Sequence, residues 1–233
     1  MTKTNSKFGK FLISIILLSF VIIFDSTISE AKPVIHLPEP ELKSDMSLEE
    51  AIVRRRSVRS FSNEALTLAE VSQLLWACQG ITSPMGYHTV PSAGALYPLE
   101  IYMVVDRVEG LKSGIYHYKP GPGLKNHSLE YFGSGVNAGK LANAALNQDC
   151  IRDAAINIII TAVTSRTSAK YGERAERYIL IEIGHSAQNI CLQAQSLNLG
   201  VATVGALDDN DVKRLLSIKA QPFYILPVGR VAP

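Results

Sequence analysis

Residues suited to chemistry gather at three places along the 233-residue chain. In RRRSVRSF, Arg54, Arg55, Arg56 and Arg59 stand beside Ser57 and Ser60. A guanidinium fork pairs two oxygens at once, so this density suits a phosphate; the competing reading is a helix end whose cations face water. In PSAGALYP, the small residues Pro91, Ser92, Ala93 and Gly94 let backbone amides approach a flat ligand, and Ser92 adds a hydroxyl. An ordinary surface turn would look the same. Lys170 and Tyr171 are adjacent proton carriers, able to act as base and acid if burial lowers the ammonium's pKa, or else a solvated lysine and a packing tyrosine. His185, Gln188 and Asn189 read as satisfied polar groups of a core helix. No Ser/His/Asp or Cys/His spacing argues for a hydrolase, and GxGxxG and GxxxxGK are both absent. Cys78, Cys150 and Cys191 permit one bridge and a free thiol, or three thiols, and no CxxC or histidine pair suggests a metal.

The elements that must position these groups follow from patterning. Ser47 with Glu50 forms a capping-box pattern opening a helix that runs through Arg54–Arg56. Thr67 with Glu70 repeats it, opening a helix with Leu68, Val71, Leu74, Leu75 and Cys78 on one face and Gly80 closing it. The stretch from Thr82 to Pro98 has no periodicity, and a loop of that length in a packed domain is usually functional or disordered. Strands are expected at Leu99–Asp106, from Gly114, at Leu129, centrally from Ala155, at GVATVGA and at PFYILPVGR, with a short capped helix in DDNDVKRLL. The segment Arg174–Leu199 reads as a long helix apolar on more than one side, hence buried in the core or in a subunit interface.

Composition narrows the class. With 23 Lys and Arg against 21 Asp and Glu, no net field favours nucleic acid, and 47% apolar residues with 19% charged describe a packed chain. The first 31 residues differ from the rest: Lys3, Lys7 and Lys10 precede a 14-residue apolar run, Phe11–Phe24, too short for a spanning helix of about 20 residues. Ser29 and Ala31 offer a cleavage site, so residues 1–31 read as a Sec-type signal for export to the periplasm or outside, leaving 202 residues. A retained membrane tether is the alternative, and the membrane enters only in that case. Residues 32–46, with three prolines, read as an extended lead-in to a domain over 47–233.

The order of RRRSVRSF, PSAGALYP, KYGER leading into RYILIEIGHSAQNICLQAQSLNLG, VATVGALDD and LPVGR resembles the FMN-dependent nitroreductase superfamily, within it the SagB-type azoline dehydrogenases, across about Ser47–Val231. The resemblance implies an α+β fold with a mostly antiparallel sheet flanked by helices, a long central helix in a homodimer interface, and FMN sites built from both subunits. It assigns Arg55, Arg56, Ser57 and Arg59 to the FMN phosphate and ribityl chain, Pro91–Gly94 of the partner to the isoalloxazine ring, Asn147 and Gln148 to flavin contacts, and Val204 and Gly205 to the N5 edge. It matches Lys170 and Tyr171 to the proton-handling pair of azoline dehydrogenases. Longer relatives hold the phosphate with a basic C-terminal tail, and here either Arg230 substitutes or Arg59 suffices. The implied activity is oxidoreduction of an azoline-type heterocycle, free or in a peptide, or of a nitroaromatic or quinone-like acceptor, with NAD(P)H a candidate donor. An exported module that binds flavin without catalysis is the other reading, because FMN is made in the cytosol.

Overall fold

The computed structural model describes residues 32–123 and 125–233, so the expected export signal lies outside the described residues. Seven strands form one antiparallel sheet: β1 (Val34–His36), β2 (Leu99–Val105), β3 (Gly114–Lys119), β4 (Ser128–Gly133), β5 (Ile156–Ala162), β6 (Leu199–Val201) and β7 (Gln221–Arg230), in the order β1-β4-β3-β2-β5-β7-β6. Seven helices accompany it: α1 (Leu48–Arg54), α2 (Leu68–Gln79), α3 (Ala138–Ala144), α4 (Asp149–Asp153), α5 (Thr164–Tyr171), α6 (Ala175–Ser196) and α7 (Asp209–Leu216). This is the α+β architecture expected from the sequence.

Strand β5 shows why the sheet needs helices on both faces. All seven of its residues are buried between β2 and β7. Side chains alternate across a strand. Ile156, Ile158 and Ile160 therefore pack with Leu74, Leu75 and Ile190 of α2 and α6, while Ile159 packs with Leu141, Ile151 and Val212 of α3, α4 and α7. The polar Asn157 on the latter face donates to the Ile151 carbonyl at 3.0 Å.

The capping box expected at Thr67 is complete: Thr67 Oγ1 accepts from the Glu70 amide at 3.2 Å and Glu70 Oε2 accepts from the Thr67 amide at 2.8 Å. Val71, Leu74, Leu75 and Cys78 of α2 have no exposure. At α1, Ser47 caps the Glu50 amide, but the helix stops at Arg54 instead of running through Arg56. Arg55 leaves the helical region at φ −53°, ψ 118°, which turns the following residues onto the sheet edge. The short helices α3, α4 and α5 have no counterpart in the expectations, because they are rich in small and polar residues and carry no apolar period. All three cysteines are buried free thiols.

The lead-in is tied to the core. Strand β1 pairs with β4, and Pro38 O accepts from Ser72 Oγ at 2.5 Å and from His127 Nε2 at 2.8 Å. Since that carbonyl only accepts, His127 carries its hydrogen on Nε2 and takes the Tyr118 hydroxyl at Nδ1, 3.0 Å away. His127 is 2% exposed, and burial pulls its pKa below the ordinary 6.5, partly offset by the Pro38 carbonyl. Below pH 6.5 the unfolded chain then binds more protons than the folded one, so stability falls as pH drops from 6.5 toward the folded value. Melting temperatures between pH 8 and 5 are expected to fall on the acid side, with a shallower slope in His127→Gln.

Candidate active site

The arginine segment lies along the outer edge of β6. Val58 N–H donates to Val201 O at 2.9 Å and Ser57 bridges Val201. Gly200 makes this approach possible, because a Cβ there would meet Val58 Cγ1 at 2.6 Å. Between this segment, α6 and β7 is a cavity of about 170 Å³ lined by Arg55, Ser57, Gly184, Gln188, Thr203 and Tyr224, among others, with no carboxylate in its wall. A Cβ on Gly184 would meet nothing within 4 Å, so any side chain there would intrude on this space.

The other expected phosphate ligands are placed differently. Arg54 pairs with Glu50 one helical turn back. The Arg56 guanidinium donates to the Val53 and Arg55 carbonyls at 2.9 and 2.8 Å, satisfying the C-terminal end of α1. Arg230 pairs with the capping-box carboxylate Glu70 at 2.8 Å. Of these, Arg55 and Ser57 alone reach the cavity. Arg59 is exposed on the side of α4, where its charge offsets part of the burial that pushes the Cys150 thiol up.

Of the remaining expected cofactor residues, Val204 and Gly205 adjoin the cavity-wall residues Thr203 and Tyr224, and Asn147 and Gln148 lie in the turn before α4. Val204 exchanges both backbone hydrogen bonds with Ile225 at 2.8 and 2.9 Å, which fixes the strand next to Thr203 of the cavity wall. A Cβ on Gly205 would lie 3.5 Å from the Tyr224 ring. Leu146 and Asn147 adopt left-handed φ of 55° and 59°, and Gln148 precedes α4. The Asp208 amide donates to Ala144 O at 2.9 Å, which ties this turn to the segment following Gly205.

Lys170 and Tyr171 come together with the PSAGALYP loop. They end α5, and a Cβ on Gly94 would stand 2.8 Å from Tyr171 Oη and 3.0 Å from Lys170 Nζ, so both polar tips rest directly above this glycine. Gly94 has φ +64°, and Ala95 and Tyr97 follow at +53° and +43°. Gly94→Ala would add a left-handed alanine, costing about 1–2 kcal/mol, and push the Lys–Tyr tips away. The expected result is a lower urea midpoint. One turn before Lys170, Arg166 donates to Tyr97 O at 3.0 Å and pairs with Glu100 of β2, binding α5 to the loop. Burial alone would raise the Glu100 carboxyl, but hydrogen bonds and charge from His117 and Arg166 outweigh it and hold it at about 2. Lys170 is exposed in the single chain.

Helix α6 separates the two groups. Successive residues turn about 100°, so Glu182 and Asn189 face α2 and the loop, while Gly184, Ala187, Gln188 and Cys191 face the cavity. Asn189 donates to the Ala77 and Thr89 carbonyls at 3.1 and 3.3 Å. His185 and Gln188 are exposed, unlike the satisfied core polars expected. Sequence reasoning missed Thr203, although it lies within VATVGALDD, and Tyr224, which carries no motif. It also missed Glu182, although a lone carboxylate inside YILIEIGH is a visible anomaly.

A seven-stranded antiparallel sheet with helices on both faces and an arginine segment along its edge is the nitroreductase-like fold. The chain belongs to the nitroreductase family, whose sequence pattern matches residues 52–230. A Methanocaldococcus jannaschii protein provisionally named a nitroreductase is 44% identical over 196 residues, covering 84% of this chain and 96% of its own length. The crystal structure of a provisionally named nitroreductase from Ralstonia eutropha superimposes with a TM-score of 0.75 at 27% identity, covering 86% of this chain and 90% of that one. The trifolitoxin-processing protein of Rhizobium leguminosarum bv. trifolii is 28% identical over 134 residues, 55% of this chain but only 35% of that protein. The chain is thus an oxidoreductase of the nitroreductase family.

Proposed function

We propose that the protein is a homodimeric FMN-dependent oxidoreductase of the SagB type, acting on a small azoline-type heterocycle, free or within a peptide. The observation that carries this reading is the contact of Lys170 and Tyr171 with Gly94, which sets a base and an acid against the loop that the family resemblance places on the flavin ring. Similarity to the trifolitoxin-processing protein adds support. When bound, FMN supplies a ring position that accepts or returns a hydride.

The residues present fit the anionic end of that cofactor. Arg55, Ser57, Gln188 and Thr203 offer donors, no acid opposes them, and Gly184 leaves room. At about 170 Å³ the cavity admits a phosphate and part of a polyol, whereas whole ligands of drug size need about 300–1,000 Å³. Leu180 and Ile181, 49% and 48% exposed, continue the exposed stripe of α6, and this apolar surface is where a second copy would seat. The resulting cover also supplies the burial that Lys170 needs to serve as a base. In this arrangement Arg55 and Ser57 bind, the loop excludes water, Lys170 removes a substrate proton and Tyr171 orients the reacting group.

The amino-terminal segment favours action outside the cytosol. Reduction of the bound flavin by NAD(P)H or oxidation of an azoline substrate tests the reading. A flavin that no organic donor reduces would make the protein an exported binding module instead.

A further inference from the structure

Glu182 is the one carboxylate of α6 between Tyr178 and Ser196, and it is 2% exposed. Among the described residues no lysine or arginine pairs with it; Gln79 Nε2 donates to it at 3.3 Å, and the neutral Ser92 hydroxyl lies beside it. Gln79 is itself 2% exposed, and its Oε1 lies 2.6 Å from His88 Nδ1. A carboxamide oxygen only accepts, so His88 carries its hydrogen on Nδ1. The His88 ring stacks on Tyr97 with centroids 3.9 Å apart and an interplanar angle of 17°. The Tyr97 amide donates to Ser92 Oγ at 2.9 Å. The circuit runs from Glu182 through Gln79, His88 and Tyr97 to Ser92, which lies beside Glu182.

This circuit encloses the left-handed residues Gly94, Ala95 and Tyr97. Non-glycine residues keep such a conformation only where their surroundings over-determine it. A buried carboxylate without a cation is costly to keep, and burial pushes the Glu182 carboxyl up against the pull of its two donors.

We propose that Glu182 is a positioning residue: through Gln79 and the His88 ring stacked on Tyr97 it locks the Ser92–Tyr97 backbone and, through the contact of Gly94 with Lys170 and Tyr171, sets the place of that pair. The inference deepens the function proposed above, and its catalytic consequence alone rests on that reading.

Hydrogen exchange on the full chain, compared among wild type, Glu182→Leu and Glu182→Gln, tests it. Leucine keeps most of the volume and removes both acceptors. The Ala93–Tyr97 amides are expected to exchange about 10-fold faster or more in Glu182→Leu, the scale of one lost charge-assisted hydrogen bond. Its melting temperature is expected to stay at or above that of wild type, since an apolar replacement of a buried charge is often neutral or stabilising. Glutamine still accepts from Gln79 and can meet Ser92, so Glu182→Gln is expected to restore most of the protection. In flavin-loaded protein, Glu182→Leu is expected to lower kcat for heterocycle oxidation about 10-fold with little change in KM. Unchanged loop protection in Glu182→Leu would overturn the proposal. So would a fall in melting temperature with protection lost throughout the core, because that would make Glu182 merely structural. Protein that takes up no FMN would end the function proposed above while the exchange result still decides the role of Glu182.

Discussion

Lys170→Ala is expected to lower the rate of the proposed azoline oxidation by about 100- to 10,000-fold, the range for removing a positioned general base. The reasoning starts from chemistry: forming a double bond in the heterocycle takes away a proton as well as a hydride, and the proton needs an acceptor at the reacting carbon. Lys170 and Tyr171 are the proton carriers that rest on Gly94, and Arg166 holds their helix to Tyr97 and Glu100. Reduction of a nitro group requires no such base, so the same variant is expected to lose far less of that activity. Steady-state rates on the two substrate classes check the difference. Equal losses on both would remove Lys170 from the role of base and leave it as part of the wall. Tyr171→Phe is expected to lower kcat for the heterocycle more than it raises KM, because the hydroxyl is spent on the reacting group and the ring remains to pack on Tyr178.

The second large effect concerns cofactor retention. Arg55→Ala combined with Ser57→Ala is expected to raise the Kd for FMN by about 100-fold or more, given about 1.5–3 kcal/mol for one charge-assisted contact and a smaller share for the hydroxyl. Equilibrium titration followed by flavin fluorescence measures it. Arg56→Ala and Arg230→Ala serve as contrasts, since their guanidiniums are engaged by backbone carbonyls of α1 and by Glu70. Each should change stability more than affinity. A double variant with unchanged affinity would mean that the cavity beside α6 is not the anion site.

How much of this was legible beforehand varies by element, and the reasons are physical. The capping box at Thr67 and the apolar run of β5 were readable because both are local patterns with a fixed spacing. The helices α3 and α4 were not, because their few apolar residues satisfy tertiary contacts with Val204–Leu216 and the sheet and follow no period of their own, and α5 was not, because it is almost wholly polar and packs on α6. Within the arginine cluster, composition could count four guanidiniums but could not distribute them. That distribution depends on where α1 stops, and the switch of Arg55 out of the helix is a backbone event that no residue type in RRRS announces. The pairing of Arg230 with Glu70 spans 160 residues and was invisible for the same reason. Conversely, the meeting of Gly94 with Lys170 and Tyr171 joins two motifs that were each weak when read alone. The circuit around Glu182 lies between them and the long helix, and only its buried charge hinted at it.

The three free thiols also bear on export. Cys78 has no exposure, burial pushes it up to about 12, and its sulfur lies 3.0 Å from Ser186 Oγ. A thiol so held resists oxidation, because the thiolate is the reactive form. Thiol titration of folded protein is therefore expected to leave Cys78 unmodified until denaturant is added.

The most direct test of the whole account is the visible spectrum of the purified protein before and after incubation with FMN and removal of the excess. Retained flavin, with absorbance bands altered from those of the free cofactor and a ratio of one FMN per chain, is the predicted result. A protein that stays colourless and leaves the spectrum of added FMN unchanged would contradict it.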